Sequence, residues 1–390
     1  MVAADSPPPG GGSVSVTRYR PEHLDALTEF YRDIWDADAT PTRVASARAQ
    51  AAARNPVTPG EEVPTYLLMQ GTRALGHLST IPVQVRTATG SRPGYWFIGF
   101  MVRPEHRNGP IGYLMLKEAS RELELTLSLT VAQASIRLFK AVGFAELGIV
   151  PNYLRLLRPD RVLRRIDLDA VGLGGLPTFA RRAVSLAQRP GLAEVAGYGA
   201  RAALAGWSGL NGPWRTGVER LEGAPDPAAL DAMWQSLAPA LPNMAWRDGQ
   251  YLSHRYPIGA EHPYEAVRLT EGGRVRGVAY VRRPKAEGDP RLRGIRIATL
   301  SDLIFDPTRP ADGLDLLAGA ERLARRMGAD ALLVSGSDRR LPQVLRRRGY
   351  LKFPGNLMYL VKDNRRELPG TTGLGDWWVS RGDMNADSVF

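Results

Sequence analysis

The chain has 390 residues, 44% hydrophobic and 23% charged, which fits two globular domains and excludes a largely disordered polymer. It has no cysteine, so disulfide frameworks, thiolate zinc sites and cysteine nucleophiles are excluded. The formal net charge of +11 favours polyanionic partners (cofactor phosphates, nucleic acid or an anionic membrane surface), although general arginine enrichment would give the same excess.

Residues 1–13 read as a flexible leader without the basic and apolar regions of a signal peptide. No apolar run approaches the ~18 residues of a membrane span, so a soluble cytoplasmic protein is expected. Ser15 to Arg18 reads as a strand. Pro21 opens a helix with Leu24, Leu27, Phe30, Tyr31 and Ile34 at helical spacing. After a loop, Thr65–Gln70 and Ala74–Thr87 read as a hairpin about Gly71, and Gly94–Val102 as a strand. Ile111–Leu123 is a predicted helix and Leu125–Val131 a strand. Gln133–Phe144 is a helix closed by Gly143 at C′, and Gly148–Leu157 a last strand.

The second half repeats this order. A hairpin turns at Gly272-Gly273. Strand Gly294–Phe305, helix Gly313–Gly328, strand Asp330–Gly336, a helix ending in Gly349 and strand Asn356–Lys362 follow. Gly76 pairs with Gly277, Pro104 with Pro307 and Gly143 with Gly349, at offsets of 201, 203 and 206 residues by subtraction. A nearly constant offset marks an internal duplication. The predicted boundaries are a first domain over 14–158, a helical connector over 159–215, a second domain over 216–362 and a tail over 363–390. The connector either packs as two or three helices or presents an arginine-bearing amphipathic face to membrane lipid. Trp377-Trp378 either dock the tail on the body or make it a lid.

One stretch, "VRPEHRNGPIG" from Val102 to Gly112, leaves a strand, turns and enters a helix beside an arginine. A helix N-terminus offers free N–H groups and partial positive charge to an anion. This stretch is similar to the V-x-P-x-x-R-G-x-G-I-G signature of GNAT acyl-CoA N-acyltransferases, and "IRLFKAVGF" resembles that family's L-Y-x-x-x-G-F helix end. The resemblance implies two tandem α/β domains, each a mixed, mainly antiparallel sheet flanked by helices. It implies a pyrophosphate loop of Arg107, Asn108, Gly109, Pro110, Ile111 and Gly112, with backbone groups of Met101 and Val102 lent to pantetheine and thioester.

The sequence also departs from the pattern. Asn108 replaces a glycine, and Pro110 removes one N–H. Phe139 stands where the family has a tyrosine, Ala132 where it has a polar residue, and Gly99 where an acidic residue is common. In the second copy Asp302 restores that acidic position, three before Phe305, the counterpart of Val102, but "DPTRPADGLDLL" lacks the loop.

Acyl transfer to an amine needs an oxyanion donor and a base for the amine proton. Candidate proton-handling residues are Asp302, His77 on the hairpin, Glu105 beside the loop and His254 in "AWRDGQYLSHRYPIGAEHPY". Each has a bland reading: a strand histidine for His77, solvated positions for Glu105 and His106, an ion pair with an arginine such as Arg296 for Asp302. Arg346, Arg347 and Arg348 read as a solvated helix face. No spacing suggests a metal. The expected activity is transfer of an acetyl or other acyl group from acyl-CoA, as co-substrate, to the amine of a small acceptor such as an amino sugar. Alternatives are an aminoacyl-tRNA-dependent, Fem-type transferase and a GNAT-like binding protein without turnover. No specific nucleic-acid partner is expected, peripheral membrane contact stays open, and so does monomer against homodimer.

Overall fold

A computed structural model describes residues 13–107, 109–129, 132–169, 178–189, 191–210, 217–221, 223–288, 292–369 and 372–389. Asn108 and leader residues 1–12 lie outside them. The first copy runs β1 (Val14–Arg18), α1 (Leu24–Ile34), α2 (Pro41–Ala53), β2 (Thr65–Gln70), β3 (Arg73–Thr87), β4 (Gly90–Val102), α3 (Ile111–Glu122), β5 (Leu125–Ser128), α4 (Gln133–Ala141) and β6 (Ala145–Leu156). Helices α5 (Pro159–Arg165), α6 (Thr178–Ala187) and α7 (Leu192–Leu210) follow. The second copy runs β7 (Val218–Leu221), α8 (Pro227–Leu237), β8 (Met244–Ala245), α9 (Gly249–Arg255), β9 (Tyr264–Glu271) and β10 (Arg274–Arg282). It continues through β11 (Ile297–Phe305), α10 (Pro310–Arg326), β12 (Ala331–Ser335), α11 (Leu341–Arg347) and β13 (Leu351–Asp363).

One element corrects the sequence reading. The segment expected as a loop before β2 contains α2. Its apolar residues are mostly alanines and only Val44 and Arg48 are buried, so no apolar stripe marks it. Its start is legible in retrospect: Thr40 caps the helix by accepting from the Arg43 N–H, and Pro41 occupies the first turn.

The duplication is visible in packing. A Cβ at Gly76 would stand 3.2 Å from the Met101 carbonyl and the Met115 side chain. A Cβ at Gly277 would stand 2.6 Å from the Ile304 carbonyl and 2.8 Å from Leu316. In each copy the same glycine lets the next strand and its helix close on the hairpin. Gly143 and Gly349 also match, closing their helices at φ +95° and +74°.

The chain divides into two compact units, residues 1–84, 93–146 and 360–368 in one, and 85–92, 147–359 and 369–390 in the other. In unit 1 the strand order is β1-β2-β3-β4-β5 and then the end of β13, whose Leu360 pairs with Ser128 and Asp363 with Leu125. In unit 2 the order is β6-β12-β11-β10-β9-β7, with Ala331 of β12 opposite Leu156 of β6. The two copies have exchanged their last strands. This division departs from linear boundaries at 158 and 216, because an apolar pattern fixes which face of a strand is buried and says nothing of which neighbour it joins. The hairpin tip also goes to unit 2, where Val85 pairs with Ala245 and the Arg86 guanidinium donates to the carbonyls of Leu241, Pro242 and Pro239.

Candidate active site

In unit 1, β4 and β5 pair in parallel at Tyr95↔Thr126 and Trp96↔Leu127, and among the described residues no further pair joins them. β5 ends at Ser128 while β4 runs on to Val102, so among the described residues one edge of β4 is left open from Phe97 onward. On its other edge β4 stays attached to β3: the Arg103 N–H donates to the Leu75 carbonyl at 2.9 Å. Successive strand residues alternate direction, so the Val102 N–H points to the open side. Met101 turns its carbonyl toward Gly76 on β3. Of the two expected backbone donors, Val102 faces the cleft.

The chain then turns through Pro104–His106 into α3. The first intrahelical bond there runs from Leu114 N–H to the Pro110 carbonyl (3.1 Å), and Pro110 gives no side-chain cap. Among the described residues the N–H groups of Ile111, Gly112 and Tyr113 therefore have no helical partners. A Cβ on Gly112 would meet Phe100 and Val102 at 3.5 and 3.7 Å, which places the helix start against the open end of β4. Arg107 is exposed and folds back, Nε donating to the Val102 carbonyl at 3.1 Å. Gly109 is exposed, and a Cβ there would meet nothing closer than 3.7 Å. Glu105 is exposed beside the loop and paired with Arg73 at 3.5 Å.

His77 lies on β3 beneath the same stretch of β4. It is 3% exposed, and both ring nitrogens are engaged. A carbonyl can only accept, so Nδ1–H donates to the Gly99 carbonyl (3.0 Å) and Nε2 accepts from the Tyr31 hydroxyl (3.0 Å). Burial pushes the imidazole down to about 4, outweighing the bond to Gly99, and burial raises the Tyr31 phenol. A neutral imidazole with its lone pair occupied is a poor base for an ammonium group. What it does is hold Gly99, which takes φ +59° within β4 and interrupts the strand just before Val102. A Cβ at Gly99 would stand 3.2 Å from the His77 ring and 3.3 Å from Trp35, an indole 45% exposed. Sequence reasoning missed Tyr31 and Trp35 as site residues. Tyr31 lies on α1 and Trp35 four residues on, just past its end, and the helical spacing marks Tyr31 only as one of a stripe.

No family profile and no curated protein matches the chain. Solved structures do. An Enterococcus faecalis protein of unknown function, described as a probable N-acyltransferase, is 10% identical, with 90% of this chain and 72% of that one covered at a TM-score of 0.55. A GCN5-related N-acetyltransferase from Anabaena variabilis is 10% identical over 90% and 73%, at 0.55. Saccharomyces cerevisiae N-myristoyltransferase with bound myristoyl-CoA is 13% identical over 92% and 85%, at 0.51. The chain has the GNAT fold.

The second GNAT copy has the same parting of strands, filled from within. β11 and β12 pair in parallel as far as Leu300↔Val334. Beyond that point the tail lies between them. Ser380 bridges to Gly336, Ser337 N–H donates to the Val379 carbonyl (3.2 Å), and Gly382 N–H donates to the Ser301 carbonyl (2.7 Å). Trp378 meets Phe305 edge-on at 5.6 Å. Of the two readings of the paired tryptophans, docking is the one observed, since Trp377 and Trp378 are both buried.

Asp302 sits behind this plug, fully buried, where it accepts from Arg247 Nε at 2.6 Å and the Tyr256 hydroxyl at 3.0 Å. Arg247 also donates to Asp383 of the tail at 2.7 Å. Burial is the largest influence on the Asp302 carboxyl and pushes it up, with Arg247 pulling the other way. The expected partner Arg296 instead donates to the Met327 carbonyl. His254 is exposed on α9, but the arginines and tyrosines around it form a packed network and not an open pocket. Arg255 donates to Asp387 (2.7 Å) and Tyr264 (2.7 Å), and Tyr256 stacks on Tyr280 at 4.4 Å. The arginine run is split too: Arg346 and Arg347 are exposed, while Arg348 is buried against Glu321. Among the described residues no group of three His, Asp or Glu could hold a metal, and no helix is long and apolar enough to cross a membrane.

Proposed function

We propose that the chain is a CoA-dependent N-acyltransferase whose first copy takes the acyl-CoA. The observation carrying this reading is the opening of β4 from β5 beside the uncapped start of α3. The cleft suits an extended pantetheine arm, and the helix N–H groups with Arg107 suit its pyrophosphate. The acceptor nitrogen attacks the thioester carbonyl, the oxygen gains charge against the Val102 N–H, and the C–S bond breaks as the thiolate leaves. The amine loses its proton to solvent or to a group on the acceptor, since His77 is neutral and engaged. For the acceptor we favour an amino sugar or similar small amine, because the exposed Trp35 indole beside Gly99 offers an apolar face to a sugar ring.

Calorimetry with acetyl-CoA tests the reading. Arg107→Ala removes a favourable charge at the loop and Gly109→Glu adds an unfavourable one, both at exposed positions, and each should weaken binding roughly ten- to a hundredfold at unchanged melting temperature. Wild type that binds no CoA, or variants that bind it equally, would refute the acyl-CoA reading. Tight binding without thiol release on any amine would favour a binding protein. Salt-sensitive, charged-tRNA-specific binding would favour the tRNA-dependent alternative.

A further inference from the structure

Helix α7 has an unusual outer face. Among its 19 residues, LAEVAGYGARAALAGWSGL, only Glu194 and Arg201 are charged, and Glu194 is paired with Arg164 of α5. The helix packs against α5 at Gly197, where a Cβ would stand 2.5 Å from the Asp160 Cα, with Ala193 buried alongside. On the opposite side Val195 and Tyr198 are 69% and 68% exposed, followed at helical spacing by exposed Ala202 and Gly206, and Leu210 is 84% exposed. A surface helix ordinarily turns charge outward. Of the 11 large hydrophobic residues exposed among the described residues, six lie on α6 and α7, so apolar exposure is concentrated there.

Beside this face is a pocket of about 340 Å³ between α7 and α10, lined by Arg155, Arg201, Arg325, Arg348, Glu321 and Leu204 among others. Glu321 accepts from Arg348 at 3.2 and 2.7 Å and lies 3.8 Å from Arg155. The lining thus holds four guanidinium groups and one carboxylate, with Asp315 as a second carboxylate acting on Arg348, which leaves the pocket cationic. The Trp207 indole donates to the Arg346 carbonyl at 3.0 Å, which brings exposed Arg346 to the end of the helix.

We propose that the α6–α7 face of unit 2 docks on an anionic phospholipid surface, its apolar residues entering the boundary of headgroups and acyl chains and the arginine pocket taking a lipid phosphate. Charge complementarity selects this occupant. A second copy meeting the same face would bring cationic pockets together, whereas an anionic bilayer supplies apolar depth and phosphate at once.

The test is co-sedimentation of the full chain with vesicles of phosphatidylcholine alone or mixed with phosphatidylglycerol. Binding should require the anionic lipid and weaken with salt. The double variant Arg201→Gln/Arg325→Gln should bind roughly tenfold or more weakly, at about fivefold per arginine. Val195→Glu/Tyr198→Glu should lose binding while keeping its melting temperature, since both side chains are exposed. Three results would overturn the proposal: no wild-type binding to anionic vesicles, equal binding by both double variants, or a solution dimer that Val195→Glu/Tyr198→Glu dissolves.

Discussion

His77 reaches across from β3 and donates Nδ1–H to the carbonyl of Gly99, 3.0 Å away on β4. The acceptor is the one residue within β4, past its first position, that adopts left-handed backbone, at φ +59°. Gly99→Ala should therefore strain that conformation, at about 1–2 kcal/mol, and also press on the His77 ring. His77→Phe keeps the ring but leaves the Tyr31 hydroxyl and the Gly99 carbonyl unpaired, costing about 1–3 kcal/mol. Both should lower the melting temperature and reduce turnover more than CoA affinity. Melts identical to wild type would show that the kink does not depend on this pair.

The same imidazole makes stability depend on pH. Its folded value lies at about 4 and its ordinary value at 6.5, lowered by burial. The fold keeps the neutral form, so the stabilisation is fully present above pH 6.5 and is lost as pH falls toward 4. The span is worth roughly 3 kcal/mol. Thermal melts from pH 7.5 down to pH 5 should fall more steeply for wild type than for His77→Gln. Parallel curves would contradict a buried neutral His77.

Much of this site could be read before the fold was seen, and the reason is local. The turn from Val102 to Gly112 carries its own chemistry, and Gly71, Gly143, Gly272 and Gly349 sit where left-handed backbone closes turns and helices. What could not be read was long-range. For Asp302 an ion pair was legible but its partner was not, because Arg247 and Asp383 are distant in sequence and meet it only in the fold. Helix α2 was hidden because alanines leave no apolar stripe. The exchange of β6 and β13 left no trace, since each strand carries the same pattern beside either neighbour.

Asp302 is best tested by removal of its charge. Asp302→Asn leaves Arg247 buried with half its compensation, and breaking such a pair costs about 3–5 kcal/mol. The expected result is a large drop in melting temperature with specific activity retained in the folded fraction. A variant that melts like wild type but loses turnover would return Asp302 to the chemistry.

The tail plug predicts stoichiometry. With Ser380 and Gly382 bonded between β12 and β11, the second copy has no cleft to offer, so calorimetry should find one CoA per chain. Trp378→Ala removes a buried side chain packed on Phe305 and should destabilise by about 3–5 kcal/mol. It should still bind one CoA. A second equivalent would mean the tail leaves its place readily.

The exchanged strands also set an order of events during synthesis. Unit 1 needs Leu360–Asp363 beside β5, yet the ribosome makes those residues more than two hundred positions after Ser128. The first copy must therefore wait, its cleft strands formed but its sheet unfinished, while nearly the whole second copy emerges. Domains made in sequence ordinarily fold in sequence. Here a nascent chain halted between the copies holds one unfinished sheet and an unpaired β6, and the amino-terminal half completes its fold only once β13 has been made.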